Sequence, residues 1–306
     1  MVRQRLATVT SDFGSGKRES HDSTPFYDRF VPPVVSKDET ITIPTVVDEL
    51  FHGDARLMND GQVADRSVAL LVTSPPYYAG KEYETDLAQG HIPSSYVEYL
   101  EMLHDVFAAS LPKLEPGGRM AINVANLGRK PYRSLSADII SILQDDLGML
   151  LRGEVIWQKA KGAGGSCAWG SFRSPQNPVL RDVTERVIIA SKGRFDRAVK
   201  RDKREELGLP HKATIETEEF LESTIDIWEI PSESATKIGH PAPFPVALPK
   251  RLIELYTYED DLILDPFLGS GTTAVAAIQS GRHYVGFDTE AEYINLARQR
   301  LESETG

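Results

Sequence analysis

The sequence predicts an α/β fold in which helices cover both faces of a mostly parallel sheet. Three stretches carry that prediction. The first is the apolar run Val68-Ala69-Leu70-Leu71-Val72, which leads into Thr73-Ser74-Pro75-Pro76-Tyr77-Tyr78. A short unbroken apolar run reads as a strand buried on both faces. The second is Asp261-Leu262-Ile263-Leu264-Asp265, followed by Pro266-Phe267-Leu268-Gly269-Ser270-Gly271 and then Thr272-Thr273-Ala274-Val275-Ala276-Ala277-Ile278. It reads as strand, glycine turn and helix. The third is Arg282-His283-Tyr284-Val285-Gly286-Phe287-Asp288, a further strand ending in an acid. That acid follows Asp265 by about twenty residues, the spacing of nucleotide-binding βαβ units.

Taken in order, residues 1–40 are polar and rich in Pro and Ser and lack the composition of a core of their own. The folded domain is expected over 41–306. Ser95-x-x-Glu98 is a capping box, and Val97, Leu100, Leu103, Phe107 and Leu111 form a helical stripe behind it. Pro116-Gly117-Gly118 should close that unit before a strand over Met120–Val124. A loop carrying Arg129, Lys130 and Arg133 follows, then a helix over 136–150 and a strand over 152–158. Residues 159–181 form a long Gly/Ser/Pro-rich loop holding Lys159, Lys161, Trp169, Phe172, Arg173 and Gln176, and loops of that length inside a domain are more often functional than idle. A strand over 186–190 closes the block.

The two loops define the chemistry. Consecutive prolines forbid both ladder hydrogen bonds and helix, so the chain leaves the first strand in a stiff extended turn. That turn offers a hydroxyl (Ser74), carbonyls and two aromatic rings, a set suited to a planar ring bearing an amino group. In the glycine turn neither G-x-G-x-x-G nor G-x-x-x-x-G-K-[ST] is present. Asp265 at its mouth would repel a phosphate and attract an ammonium. Asp288 stands where an acid holds ribose hydroxyls, and Thr272 and Thr273 stand at a helix N-terminus. A nucleoside with a cationic amino-acid tail fits both acids: S-adenosyl-L-methionine.

Together the motifs Ser74-Pro75-Pro76-Tyr77 and Phe267-Leu268-Gly269-Ser270-Gly271 resemble the catalytic and cofactor loops of site-specific DNA amino-methyltransferases, which modify cytosine-N4 or adenine-N6. Their order, catalytic loop first, is similar to the permuted beta arrangement of that family. Two smaller pieces add to the likeness: His240-Pro241-Ala242-Pro243-Phe244-Pro245, near the methionine end of the cofactor in the family, and Gly53-Asp54-Ala55, on its adenine side. The resemblance covers roughly 48–195 and 226–302. It implies a Rossmann-like S-adenosylmethionine-dependent methyltransferase fold, and base flipping with direct transfer to the amino group. It implies cofactor contacts from Asp54, His240, Pro241, Phe244, Asp265, Pro266, Phe267, Gly269, Ser270, Gly271, Thr272, Thr273 and Asp288, and catalytic roles for Ser74, Pro75, Pro76 and Tyr77. Ser at position 74, not Asp or Asn, resembles the cytosine-N4 members, with adenine-N6 as the alternative and an RNA or small-molecule amine behind it.

Composition bounds the rest. The chain has 306 residues, 41% hydrophobic, and a single cysteine. Cys167, in Gly165-Ser166-Cys167-Ala168, excludes a disulfide framework and a multi-cysteine metal site, and does not follow a Pro on a strand end as a ring-carbon nucleophile would. No metal is expected. The absence of a signal-peptide stretch predicts a cytoplasmic enzyme, associated with the nucleoid when on DNA. Net charge is −11, yet residues 192–204 hold seven basic and two acidic residues. That run, in a small insert over about 192–225, is expected to face double-stranded DNA through Arg197, Lys200, Arg201 and Lys203, helped by Lys159, Lys161 and Arg173. A homodimer and a cognate restriction endonuclease are left open as further partners.

Overall fold

The computed structural model describes residues 34–76, 95–126, 132–159, 170–180, 183–232 and 244–305. Tyr77, Tyr78, Arg129, Lys130, Lys161, Cys167, Trp169, His240 and Pro241 lie outside them. Residues 35–306 form one compact unit. Its start precedes the expected boundary because Ser36 donates its N–H to the Gly193 carbonyl (2.6 Å) and Thr42 to that of Arg66 (3.0 Å).

Among the described residues eight strands build one sheet: β1 (Glu49–His52), β2 (Val68–Thr73), β3 (Leu114–Val124), β4 (Leu150–Gln158), β5 (Thr184–Ser191), β6 (Ile227–Glu229), β7 (Leu262–Asp265) and β8 (His283–Asp288). Their spatial order is β1-β8-β7-β2-β3-β5-β4-β6. Only β5 runs against the others, pairing antiparallel with β3 and β4. From β2 the chain moves outward to β3, while from β7 it moves to β8 on the opposite side. The switch point therefore falls between β2 and β7, where open α/β sheets place their ligands.

Helices α1 (Tyr96–Ser110) and α2 (Leu135–Ser141) cover one face. There Tyr99, Leu103, Val106, Phe107 and Ile139 meet Val68, Leu71, Ile122 and Leu264. Two short helices, α3 (Arg201–Glu206) and α4 (Thr217–Ser223), lie in the connection to β6. Helices α5 (Ala247–Tyr256), α6 (Thr272–Gln279) and α7 (Ala291–Thr305) cover the second face. Leu252, Ile253, Ala274 to Ala277 and Ala297 there meet Leu70, Val72 and Ile263. Burial on both sides explains why β2 and β7 read as unbroken apolar runs.

Local signals place most boundaries. Ser95 caps α1, its hydroxyl accepting the Glu98 N–H, although Val97 of the expected stripe is 63% exposed and Tyr99 and Val106 supply the buried face. Pro116-Gly117-Gly118 does not end the unit before β3; the strand runs through it. Gly117 sits at φ +80°, where a Cβ would lie 1.8 Å from the Asp196 carbonyl oxygen. The pairing of β2 with β3 and β7 shifts register between Val68 and Leu70 to absorb the bulge. The helix expected over 136–150 stops early: α2 widens into a π turn over Ile142–Asp146, and Gly148 at φ +64° releases the chain into β4.

Candidate functional site

Thr73, the last residue of β2, donates its hydroxyl to Asp265 Oδ1, the last residue of β7, at 2.6 Å, and both are buried. That bond locks the two motif loops together at the carboxyl edge of the sheet. Ser74 follows directly, half-buried, with Pro75 buried and Pro76 exposed. Sequences 192 residues apart thus share one crevice.

Asp265 is the electrostatic centre of the crevice. Its Oδ1 also accepts the Phe267 N–H (3.1 Å), while Oδ2 is buried with no hydrogen-bond partner among the described residues. Burial pushes its pKa up to about 6, against the hydrogen bonds from Thr73 and Phe267. A buried carboxylate oxygen left without a donor is an energetic liability that a cationic ligand would relieve. Asp288, half-buried at the end of β8, accepts the Gly269 N–H on Oδ2 (2.8 Å) and the Glu290 N–H on Oδ1 (2.9 Å). Burial raises its pKa as well. Each oxygen keeps a lone pair, so Asp288 can still accept from vicinal hydroxyls.

The glycine turn is held from both sides. Gly271 adopts φ +80°, and a Cβ there would come within 2.8 Å of the Ala297 methyl on α7. From α7, the Arg300 guanidinium reaches Ser270 O (2.7 Å), Ser270 Oγ (2.8 Å) and Thr272 Oγ1 (3.2 Å). The side chains of Ser270 and Thr272 are buried and serve Arg300, so what these residues would present to a ligand is backbone. Thr273 is buried too, its hydroxyl 3.5 Å from the Val72 carbonyl oxygen. Pro266 is buried, and Phe267 and Phe244 are half-buried at the edge of the two cores. The Gly53 N–H bonds to the Asp288 carbonyl (2.9 Å), which brings Asp54 beside Asp288. The Asp54 carboxylate accepts the Arg56 backbone N–H (2.9 Å) and pairs with its guanidinium (2.6 Å).

Three polar residues absent from the expected set sit under Ser74. Thr73 is one. The others are Asn123 on β3 and Glu185 on β5: Asn123 Nδ2 lies 2.6 Å from Glu185 Oε2 and 3.4 Å from Ser74 Oγ. Lys159, at the exit of β4, donates to Glu185 Oε1 at 2.8 Å. The Lys159 ammonium, expected to face DNA, is thus paired with Glu185 in this structure.

The basic run is corrected more fully. Residues 192–204 lie at the amino edge of the parallel strands, not at the carboxyl edge with Ser74. The Gly117 N–H bonds to Lys192 O (2.9 Å), the Ala198 N–H to Pro116 O (3.0 Å), and Arg197 reaches Asp261 just ahead of β7 (2.8 Å). A six-residue strand separates the two edges by roughly 20 Å. Arg197 is also nearly buried between Glu115 and Asp261. Lys200, Arg201 and Lys203 are exposed, but on this remote edge. Arg173, by contrast, is exposed in the segment between β4 and β5, which opens on the carboxyl edge.

Comparison with known proteins agrees with the geometry. Residues 68–299 match the model of the DNA methylase family for N6 and N4 modification. The type II methyltransferase M.BglI of Bacillus subtilis is 30% identical, over 83% of this chain and 85% of its own. M.ScaI of Streptomyces caespitosus is likewise 30% identical, over 83% and 81%. A solved structure, a candidate DNA modification methylase of Thermus thermophilus, superposes with a TM-score of 0.65 at 28% identity, over 84% of this chain and 96% of that one. The same protein is also known in complex with S-adenosyl-L-methionine. The cytosine-N4-specific PvuII DNA methyltransferase shares the fold, with a TM-score of 0.62 at 22% identity over 87% and 94% of the two chains. A chain that brings a Ser-Pro-Pro loop and an acid-lined glycine turn to one crevice, and matches that family over most of its length, belongs to the N6/N4 DNA methylases.

Proposed function

We propose that the protein transfers a methyl group from S-adenosyl-L-methionine to the N4 amino group of a cytosine flipped out of a specific double-stranded DNA site. The Thr73–Asp265 bond carries this reading, because it fixes the amine-binding loop against the acid that would hold the cofactor's ammonium. Asp265 Oδ2 would take that ammonium and Asp288 the ribose hydroxyls. The cofactor would supply an electrophilic methyl group on its sulfonium: the nitrogen–methyl bond forms as the sulfur–methyl bond breaks to leave a neutral thioether, and the methylated amine gives up one proton to water.

The protein's own task is positioning. A ring amine is a weak nucleophile because its lone pair is delocalised into the ring. Ser74 Oγ and the Pro75 carbonyl would accept its two hydrogens, favouring a pyramidal nitrogen with its lone pair directed out of the ring plane. Tyr77 would stack on the extruded base. Serine presents one small neutral acceptor, which suits the smaller ring. Mass spectrometry of nucleosides from treated DNA is expected to find N4-methylcytosine. Finding N6-methyladenine alone would overturn the choice of base and leave the fold and cofactor standing.

The DNA face on this reading is the carboxyl edge, supported by the exposed Arg173 beside it. Arg173→Ala is expected to flatten the dependence of log K on log salt by about one unit. Replacing Lys200, Arg201 and Lys203 together by alanine is expected to leave the slope unchanged. A reversed pattern in a salt-titrated binding assay would return the basic run to the interface.

A further inference from the structure

We propose that Glu185 is a positioning residue for methyl transfer, acting through Asn123 to orient the Ser74 hydroxyl; the inference rests on the methyl-transfer reading above. The three residues come from three neighbouring strands that converge beneath the Ser-Pro-Pro loop. Asn123 and Glu185 are both buried, so neither polar group is a solvated surface feature.

Chemistry fixes the direction of this chain of contacts. Glu185 Oε1 receives the Lys159 ammonium (2.8 Å), so Glu185 is a carboxylate and can only accept. The atom of Asn123 that faces Glu185 Oε2 at 2.6 Å must therefore be the amide nitrogen. With one N–H committed to Glu185, the second is directed at Ser74 Oγ, 3.4 Å away. Contacts of this kind run long in ligand-free sites and tighten when substrate seats. Ser74 Oγ then receives a hydrogen from below, which sets the orientation in which it would meet the target amine. A neutral amide stands between the carboxylate and the serine, so Glu185 aligns the acceptor and does not take the proton. Antiparallel β5 makes the arrangement possible, since its first turns enter the sheet at the edge where β2, β3 and β4 end.

The test is steady-state and single-turnover methyl transfer to DNA by the full chain, with radiolabelled S-adenosylmethionine. Glu185→Gln lets the Asn123 amide turn over, because a glutamine offers both donor and acceptor. The turnover number is expected to fall on the order of 10–100-fold, the effect of a misplaced reacting group, with KM for DNA and Kd for the cofactor changed by less than about twofold. The double variant Asn123→Asp with Glu185→Gln keeps the buried pair but reverses it, leaving no N–H for Ser74. It is expected to regain thermal stability and remain slow. Full recovery of turnover in the double variant, or a Glu185→Gln rate within about threefold of wild type, would overturn the proposal.

One further measurement does not depend on activity. The side-chain amide hydrogens of Asn123 should exchange slowly in NMR spectra of the wild type and faster in Glu185→Gln. Equal exchange in the two proteins would refute the assignment. Absence of any transfer to DNA by the wild type would instead sink the reading of the site, and this inference with it.

Discussion

Asp261→Ala is expected to lower the stability of the folded chain by about 3–5 kcal/mol, the usual cost of stranding a buried charge. Asp261 is 3% exposed and accepts from Arg197 Nη1 (2.8 Å), Arg197 Nη2 (3.1 Å), Arg204 Nη2 (3.3 Å) and the Tyr258 N–H (2.7 Å). Glu115 completes the cluster: Arg197 Nε bonds to it, and Arg204 Nη1 lies 3.3 Å from it. Both guanidinium groups also lie over the Tyr258 ring, at 5.3 and 5.2 Å from its centroid. Two arginines face two carboxylates, so the cluster is neutral as built. Burial alone would lower the Arg197 pKa, but Asp261 and Glu115 outweigh it and hold the group charged. Alanine at 261 leaves two buried cations against Glu115 alone. Urea unfolding followed by circular dichroism measures the loss. A change below about 1 kcal/mol would mean that the cluster relaxes to water, contrary to the burial seen here. The same cluster explains why 192–204 is basic, since several of its charges clasp the amino edge of the sheet.

Asp265→Asn is expected to weaken S-adenosylmethionine binding roughly 30- to 100-fold, the loss of one charge-assisted bond of about 2–3 kcal/mol. Asparagine can keep the Thr73 and Phe267 bonds through Oδ1, while its amide nitrogen then takes the buried place of Oδ2 and would meet an ammonium as a donor, not an acceptor. Ligand-free stability should move the other way. The folded pKa of Asp265, about 6, lies above its ordinary value of 3.8, so ionisation costs stability. That cost is fully present above about pH 6 and is relieved as pH falls toward 3.8. The asparagine variant should therefore unfold at higher temperature than wild type at pH 7.5, yet gain less than wild type from the same concentration of added cofactor. Linkage also sets the pH dependence of binding. An ammonium partner favours the carboxylate, so wild-type affinity should rise about tenfold per pH unit up to pH 6 and level off above it. Calorimetry at pH 5, 6 and 7.5 tests this, and affinity independent of pH would show that Asp265 does not meet the ammonium.

Legibility followed the range of the interactions involved. The runs Val68–Val72 and Leu262–Asp265, the Ser95 cap, the Ser-Pro-Pro exit and the turn around Gly269 and Gly271 are written in neighbouring residues, where periodicity, proline and glycine act over a few positions. Asp265 and Asp288 were readable because a βαβ unit fixes their spacing. The strand through Pro116-Gly117-Gly118 was not readable. Its course depends on a bulge paired with β2 and on the Asp196 carbonyl packed against Gly117.

Charge was the least legible property. A run of seven cations in thirteen residues has the composition of a phosphate-binding strip, and composition says nothing about which edge of the sheet it reaches. Arg197 and Arg204 are spent on Glu115 and Asp261, partners more than fifty residues away. Asn123 carried a faint signal, as a polar residue near the end of an apolar strand. Glu185 carried none, because its meeting with Asn123 depends on β5 running antiparallel between β3 and β4. The sequence by itself determined the α/β class, the two motif loops and the acids at their mouths, because local backbone preference and short-range spacing are sufficient for each. Only the tertiary structure decided which cations remain exposed beside the site and which polar groups stand behind Ser74, because both depend on strand order and on charge pairs between distant segments.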